Sequence, residues 1–156
     1  MRFFPIICLL CIGASVGALE GIYTGLGTEI NASSPRGPAV LGGLALGFDL
    51  HRHWTAGLRA GYSPNMYVSS ALEPVAFGRY YLLPGSGGPF AQAEVGCIII
   101  FAFDDDFIVF SGGFAVGWRF NLAGNVYVEP ALRLGYPYLF GVGLSAGLRF
   151  KMRNEK

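Results

Sequence analysis

Beyond residue 18 the chain alternates, residue by residue, between large apolar side chains and a face built mostly of glycine. Near the end, Val142, Leu144, Ala146, Leu148 and Phe150 oppose Gly141, Gly143, Ser145, Gly147 and Arg149. The same holds for Ile108, Phe110, Phe114, Val116, Trp118 and Phe120 against Ser111, Gly113, Ala115, Gly117 and Arg119. It recurs for Val126, Val128, Leu132 and Leu134 against Tyr127, Glu129, Ala131, Arg133 and Gly135. A period of two is the signature of a strand with two unlike faces, and a helix would need 3.6. Eight strands are predicted, over 20–30, 39–50, 54–63, 71–82, 90–103, 107–120, 126–136 and 140–151. Clusters of proline, glycine, asparagine and aspartate separate them, as tight turns require.

The unusual feature is which face carries what. A soluble barrel hides its apolar face and shows charge outside, but here only 13% of residues are charged, against 53% hydrophobic. Soluble domains carry roughly 25% charged residues. The polar face, rich in the chain's 24 glycines, is too small-sided for a solvated exterior and suits the narrow lumen of an eight-stranded barrel. The greasy face then points to lipid. Closure satisfies every backbone group in a bilayer, which an open sheet cannot do. The fold class predicted is all-β: an eight-stranded antiparallel up-and-down transmembrane barrel over residues 19–156.

Strand charges fall on the glycine-rich face. They are Glu29, Asp49, Arg59, Glu73, Arg79, Glu94, Arg119, Glu129, Arg133 and Arg149, five acids and five arginines. An arginine facing lipid at mid-bilayer costs about 2–4 kcal/mol, whereas one sharing a lumen with carboxylates does not. Such a set serves either as a structural plug of ion pairs or as a narrow conduction path. Balanced charge offers no single-sign field to select an ion, which favours the plug. Trp54, Tyr62, Trp118, Tyr136 and Phe150 lie near strand ends, where aromatic girdles meet the two interfaces.

The first eighteen residues read differently. Arg2 precedes an apolar run from Phe3 to Gly17, closing on the small residues Val16, Gly17 and Ala18. That pattern predicts a secretory signal peptide over 1–18, cut after Ala18. Cys8 and Cys11 would leave with it, so Cys97 has no partner for an intramolecular disulfide. No cysteine–histidine spacing fits a metal, and none is expected. The net charge of +1 gives no reason to expect nucleic acid, and no cofactor is implied.

A barrel enzyme would need a serine, a histidine and an acid together. His51 and His53 fall in the turn after the second strand, whereas Ser33, Ser34, Ser69 and Ser70 fall at the opposite end. Ser86 shares the histidine end but sits in a glycine-rich turn expected to be flexible. No catalytic set emerges. Asp104, Asp105 and Asp106 read as a solvated turn, with a divalent-cation role as the alternative.

The opening Gly21-Ile22-Tyr23-Thr24-Gly25-Leu26-Gly27 and the closing Gly143-Leu144-Ser145-Ala146-Gly147-Leu148-Arg149-Phe150 resemble the small eight-stranded outer-membrane barrels, the OmpA/OmpX-like superfamily. The resemblance implies a monomer in the bacterial outer membrane, reached through the periplasm, with the bilayer and the barrel-assembly machinery as partners. It also implies that Phe150 is the aromatic residue this machinery reads, although Lys151 to Lys156 follow it here. The function expected is structural or surface-interacting; the alternatives are a narrow channel or solute carrier and, after that, a lipid-modifying barrel enzyme.

Overall fold

The computed structural model describes residues 19–33, 37–66, 69–101 and 106–152. The expected leader over 1–18 and the loop residues Asp104 and Asp105 lie outside the described residues. Eight strands follow one another: β1 (Gly21–Ser33), β2 (Gly37–His51), β3 (Trp54–Met66), β4 (Ser69–Leu83), β5 (Gly87–Phe101), β6 (Phe107–Asn121), β7 (Val126–Tyr136) and β8 (Phe140–Lys151). Each pairs antiparallel with the next, and β8 returns to β1 to close the barrel. The closing seam runs from Gly21 opposite Lys151 to Ala32 opposite Phe140. Among the described residues no helix is long and apolar enough to cross a membrane.

The two faces segregate as the alternation requires. Along β4, Ala71, Glu73, Val75, Phe77, Arg79 and Tyr81 are buried, while Leu72, Pro74, Ala76, Gly78, Tyr80 and Leu82 are exposed. Phe77 therefore points inward among charges, and proline and glycine share the outer face with leucine. Outward side chains stay bare in the isolated chain: Ile108 is 71% exposed and Phe114 is 70% exposed. An apolar surface that encircles the molecule is covered by hydrocarbon, not water.

Six strands are longer than the turn residues suggest. Pro38 pairs with Ala32 inside the first hairpin, and Pro64 falls where the β3–β4 register shifts between Ser63 and Met66. Proline is tolerated at such positions because no ladder hydrogen bond is asked of its nitrogen. A strand of 15 residues is about 50 Å long. Tilted by about 40°, it still rises roughly 35–40 Å, beyond an apolar band about 25 Å tall. The hairpins therefore continue past the bilayer, and their breakers lie within that continuation.

Candidate functional site: the lumen network

The lumen is filled from two unequal walls. β1, β2 and β8 present small residues inward, among them Gly25, Gly27, Gly43, Ala45, Gly143 and Ser145. β4 to β7 supply Phe77, Arg79, Tyr81, Phe90, Glu94, Arg119, Tyr127, Glu129 and Arg133, all buried. Long side chains can cross a narrow barrel only where the far wall has none.

At the end holding the termini, Arg149 donates from Nε to Asp49 Oδ2 at 2.8 Å, and Thr55 donates to Asp49 Oδ1 at 2.8 Å. Arg149 also donates to the carbonyl of Gly85 at 2.9 Å, and the Gly85 amide donates to the Arg52 carbonyl at 2.9 Å. These bonds draw the β4–β5 turn under the barrel. Ser86, at φ 53°, is completely buried there. The turn expected to be flexible is thus tied to Arg149 and Arg52 by hydrogen bonds. A glycine-rich loop is anchored where its carbonyl accepts from a guanidinium that Asp49 neutralises.

Above this base, Arg79 and Arg119 share one carboxylate. Arg79 Nη1 donates to Glu129 Oε1 at 2.5 Å and to Tyr81 Oη at 2.9 Å, while Arg119 Nε donates to the same Glu129 oxygen. Ser145 donates to the other Glu129 oxygen at 3.3 Å. Aromatic faces complete the shell. The Arg119 carbon Cζ lies 4.0 Å from the Tyr23 ring centre and 4.1 Å from that of Tyr127, and Arg79 lies 4.0 Å from Phe90. A ring quadrupole stabilises a cation that has lost its water.

Nearer mid-barrel, Arg59 and Arg133 face three carboxylates. Arg59 reaches Glu29 at 2.9 Å, Glu94 at 3.2 Å and Glu73 at 3.4 Å. Arg133 reaches Glu73 at 2.7 Å, Glu94 at 2.8 Å and Glu29 at 3.5 Å. Ser111 adds a donor to Glu73 at 2.6 Å. This cluster carries one negative charge in excess, and the Arg79–Arg119–Glu129 cluster one positive charge. Gln92 joins them: its Oε1 accepts from Arg79 Nε at 2.6 Å, and its Nε2 donates to Glu94 Oε1 at 2.5 Å. An amide, with a donor on one atom and an acceptor on the other, suits a place between a guanidinium and a carboxylate.

The end away from the termini is sealed by apolar packing. Ala39, Ala71, Ile98, Ile100 and Tyr138 form a buried cluster, with Val109 against it. The run Ile98-Ile99-Ile100 conceals its parity in the sequence, because Ile98 and Ile100 turn inward although all three are equally greasy. Between seal and base a cavity of about 110 Å³ borders Glu29, Arg59, Arg79, Glu94, Glu129 and Arg133.

All ten inward charged residues thus enter ion pairs, eight in the two clusters that Gln92 joins and two, Asp49 and Arg149, at the base. The sequence reading put Ser111, Tyr127 and Ser145 on the glycine-rich face but gave no place in the network to them or to Gln92, Tyr23 and Tyr81. Inward parity was the available signal, since Gln92 lies two residues from Glu94. Trp54, Trp118 and Phe150 sit on the outer surface toward the termini, and Tyr62 and Tyr136 toward the other end; all five are exposed. His51 and His53 lie at the terminal end, and His53 Nδ1 donates to the Tyr81 carbonyl at 2.8 Å. Ser69 and Ser70 begin β4 at the opposite end.

No family model matches the chain, and no curated protein does either. Solved structures do. The N-terminal β-barrel domain of Pseudomonas aeruginosa OprF superposes with a TM-score of 0.68 at 16% identity, covering 85% of this chain and 98% of that one. Neisserial surface protein A gives 0.56 at 14% identity, covering 85% and 96%. A de novo designed transmembrane β-barrel gives 0.50 at 10% identity, covering 85% and 97%. At these identities the likeness is one of fold, and the chain has the fold of the small eight-stranded outer-membrane β-barrels.

Proposed function

We propose that the protein is a bacterial outer-membrane barrel whose lumen is a structural plug, and that its contribution to the cell is architectural or made at its surface. The observation that carries this reading is the double closure of the lumen. The cluster around Ile98 and Ile100 seals one end, and the Ser86 turn, pinned by Arg149, closes the other. Between them the charges cancel, so the lumen offers no single-sign field to select an ion. The chain reaches the membrane as a secreted precursor, with residues 1–18 as its leader and the barrel-assembly machinery as its receiver, and works as a monomer.

Catalysis is not its role in this reading. His53 is committed to a backbone carbonyl, and Ser69 and Ser70 stand a barrel length away from it. Planar-bilayer recording of the purified protein tests the plug against the channel. A silent membrane at high protein load is expected. Steady, reproducible conductance steps would replace the plug with a pore.

A further inference from the structure

The rim at the terminal end divides into two unlike arcs. Along one, Lys151, Glu20, His51, Arg52 and His53 follow one another across the ends of β8, β1, β2 and β3. Along the other, the turns carry Leu82, Leu83 and Leu122, each more than half exposed, and no charge. Glu20, the one carboxylate of this arc among the described residues, lies 3.6 Å from His51 Nδ1. Among the described residues no carboxylate pairs with Arg52 or Lys151, and both are exposed. At the opposite rim Asp106 is the charged residue among those described.

Backbone pairing anchors the residues that carry these cations at the terminal rim. The Arg52 carbonyl accepts the Gly85 amide at 2.9 Å, which fixes the turn, and Lys151 is the last paired residue of β8, opposite Gly21. Beside them an aromatic cluster faces outward. Trp54 meets Tyr80 edge-on at 5.0 Å, and His53 stacks on Tyr80 at 5.5 Å and 18°. Rings of this kind settle at headgroup level, so the guanidinium and ammonium stand where phosphate groups lie.

We propose that this arc, from Lys151 through Arg52 to Trp54 and Tyr80, docks the phosphate headgroup of an anionic phospholipid in the leaflet beside the chain termini. Arginine at a pinned turn offers several N–H donors to phosphate oxygens, the lysine adds a second charge, and Trp54 packs the glycerol and upper acyl region. The uncharged arc opposite, with its three exposed leucines, takes the same leaflet without headgroup preference. The proposal rests on the bilayer reading above and is independent of whether the lumen conducts.

Quenching of Trp54 tests it. In a Trp118→Phe protein, Trp54 is the remaining tryptophan, and it reports the lipid beside it. The protein is folded into phosphatidylcholine vesicles containing either brominated phosphatidylglycerol or brominated phosphatidylcholine. Each cation near an anionic surface is worth about a fivefold preference, so selection of phosphatidylglycerol at Trp54 by about fivefold or more is expected. Neutralising both cations (Arg52→Gln with Lys151→Gln) should bring the ratio close to one while the folded band on gels persists. A ratio near one in the parent overturns the proposal, as does a ratio that survives both substitutions. Millimolar inorganic phosphate should leave the quenching unchanged; relief of quenching would mean a site for free phosphate and would also overturn the lipid assignment.

Discussion

The Tyr23 ring occupies the space that a side chain on Gly47 would need. A Cβ built at Gly47 meets two ring carbons and the hydroxyl oxygen of Tyr23 at once, and Tyr23 is 1% exposed. The pair spans the β1–β2 ladder at directly opposed positions. Glycine here is a socket, and the tyrosine that fills it also covers one face of Arg119.

Gly47→Ala should therefore destabilise the barrel by about 1–3 kcal/mol, the usual cost of overpacking a filled interior. Equilibrium unfolding by urea in lipid vesicles measures it. In a Tyr23→Leu background the same substitution should cost less, because the two positions share one space. Equal losses in both backgrounds would mean that the ring and the socket are independent.

Gln92→Leu should cost about 2–4 kcal/mol although it replaces an amide with a residue of similar size. Its loss leaves Arg79 Nε and Glu94 Oε1 each short of a partner, and orphaning a buried group that belongs to a charged side chain costs more than losing a neutral bond. Gln92→Asn keeps the chemistry but shortens the reach, and should lie between the parent and leucine. A leucine variant as stable as the parent would show that water replaces the bridge.

Arg133→Leu and Leu132→Ala, adjacent on β7, should differ sharply. Arg133 meets Glu73, Glu94 and Glu29, and removing one side of a buried pair costs about 3–5 kcal/mol. Leu132 is 47% exposed to what the membrane covers. Its trimming should cost about 1 kcal/mol or less, since acyl chains refill the gap. Unfolding in urea decides between them, and a larger loss at Leu132 would reverse the facing of the strand.

Orientation is open to labelling. With the termini in the periplasm, a cysteine at Asp106 should react with an impermeant maleimide on intact cells, and one at Ala123, exposed in the β6–β7 turn, should not. The Cys97→Ala background removes the thiol of the barrel itself. Labelling at Ala123 with silence at Asp106 would invert the barrel in the membrane.

Much of this molecule is written in alternation. β7 and β8 have the bounds that their pattern predicts, because Pro137 and Leu139 make an abrupt turn directly at the end of the periodic run. The inward set of charges is equally legible, since lipid forbids the other face. Partner choice is not. Arg59 sits on β3, yet its carboxylates come from β1, β4 and β5, and nothing in a one-dimensional pattern states how strand tilt brings those heights together. The Ser86 turn escaped for a different reason. Glycine content says that a backbone can bend, and only the position of Arg149 decides that it must stay bent.

The pairing of Arg149 with Asp49 joins residues 100 positions apart, and Arg133 with Glu29 joins residues 104 apart. Neither pair exists within a single hairpin. A sheet of four or six strands entering the bilayer would carry Asp49 without Arg149 and leave Glu29 to Arg59 alone, a state the hydrocarbon penalises. Stability therefore arrives late, when β8 meets β1 and the scattered charges find each other in one event. Unfolding must reverse that event before any strand can leave, so the barrier to opening is set by the seam as a whole and not by the weakest hairpin. Such a protein would persist in its membrane through slowness of escape, long after the bare free energy of its folded state had ceased to describe its lifetime.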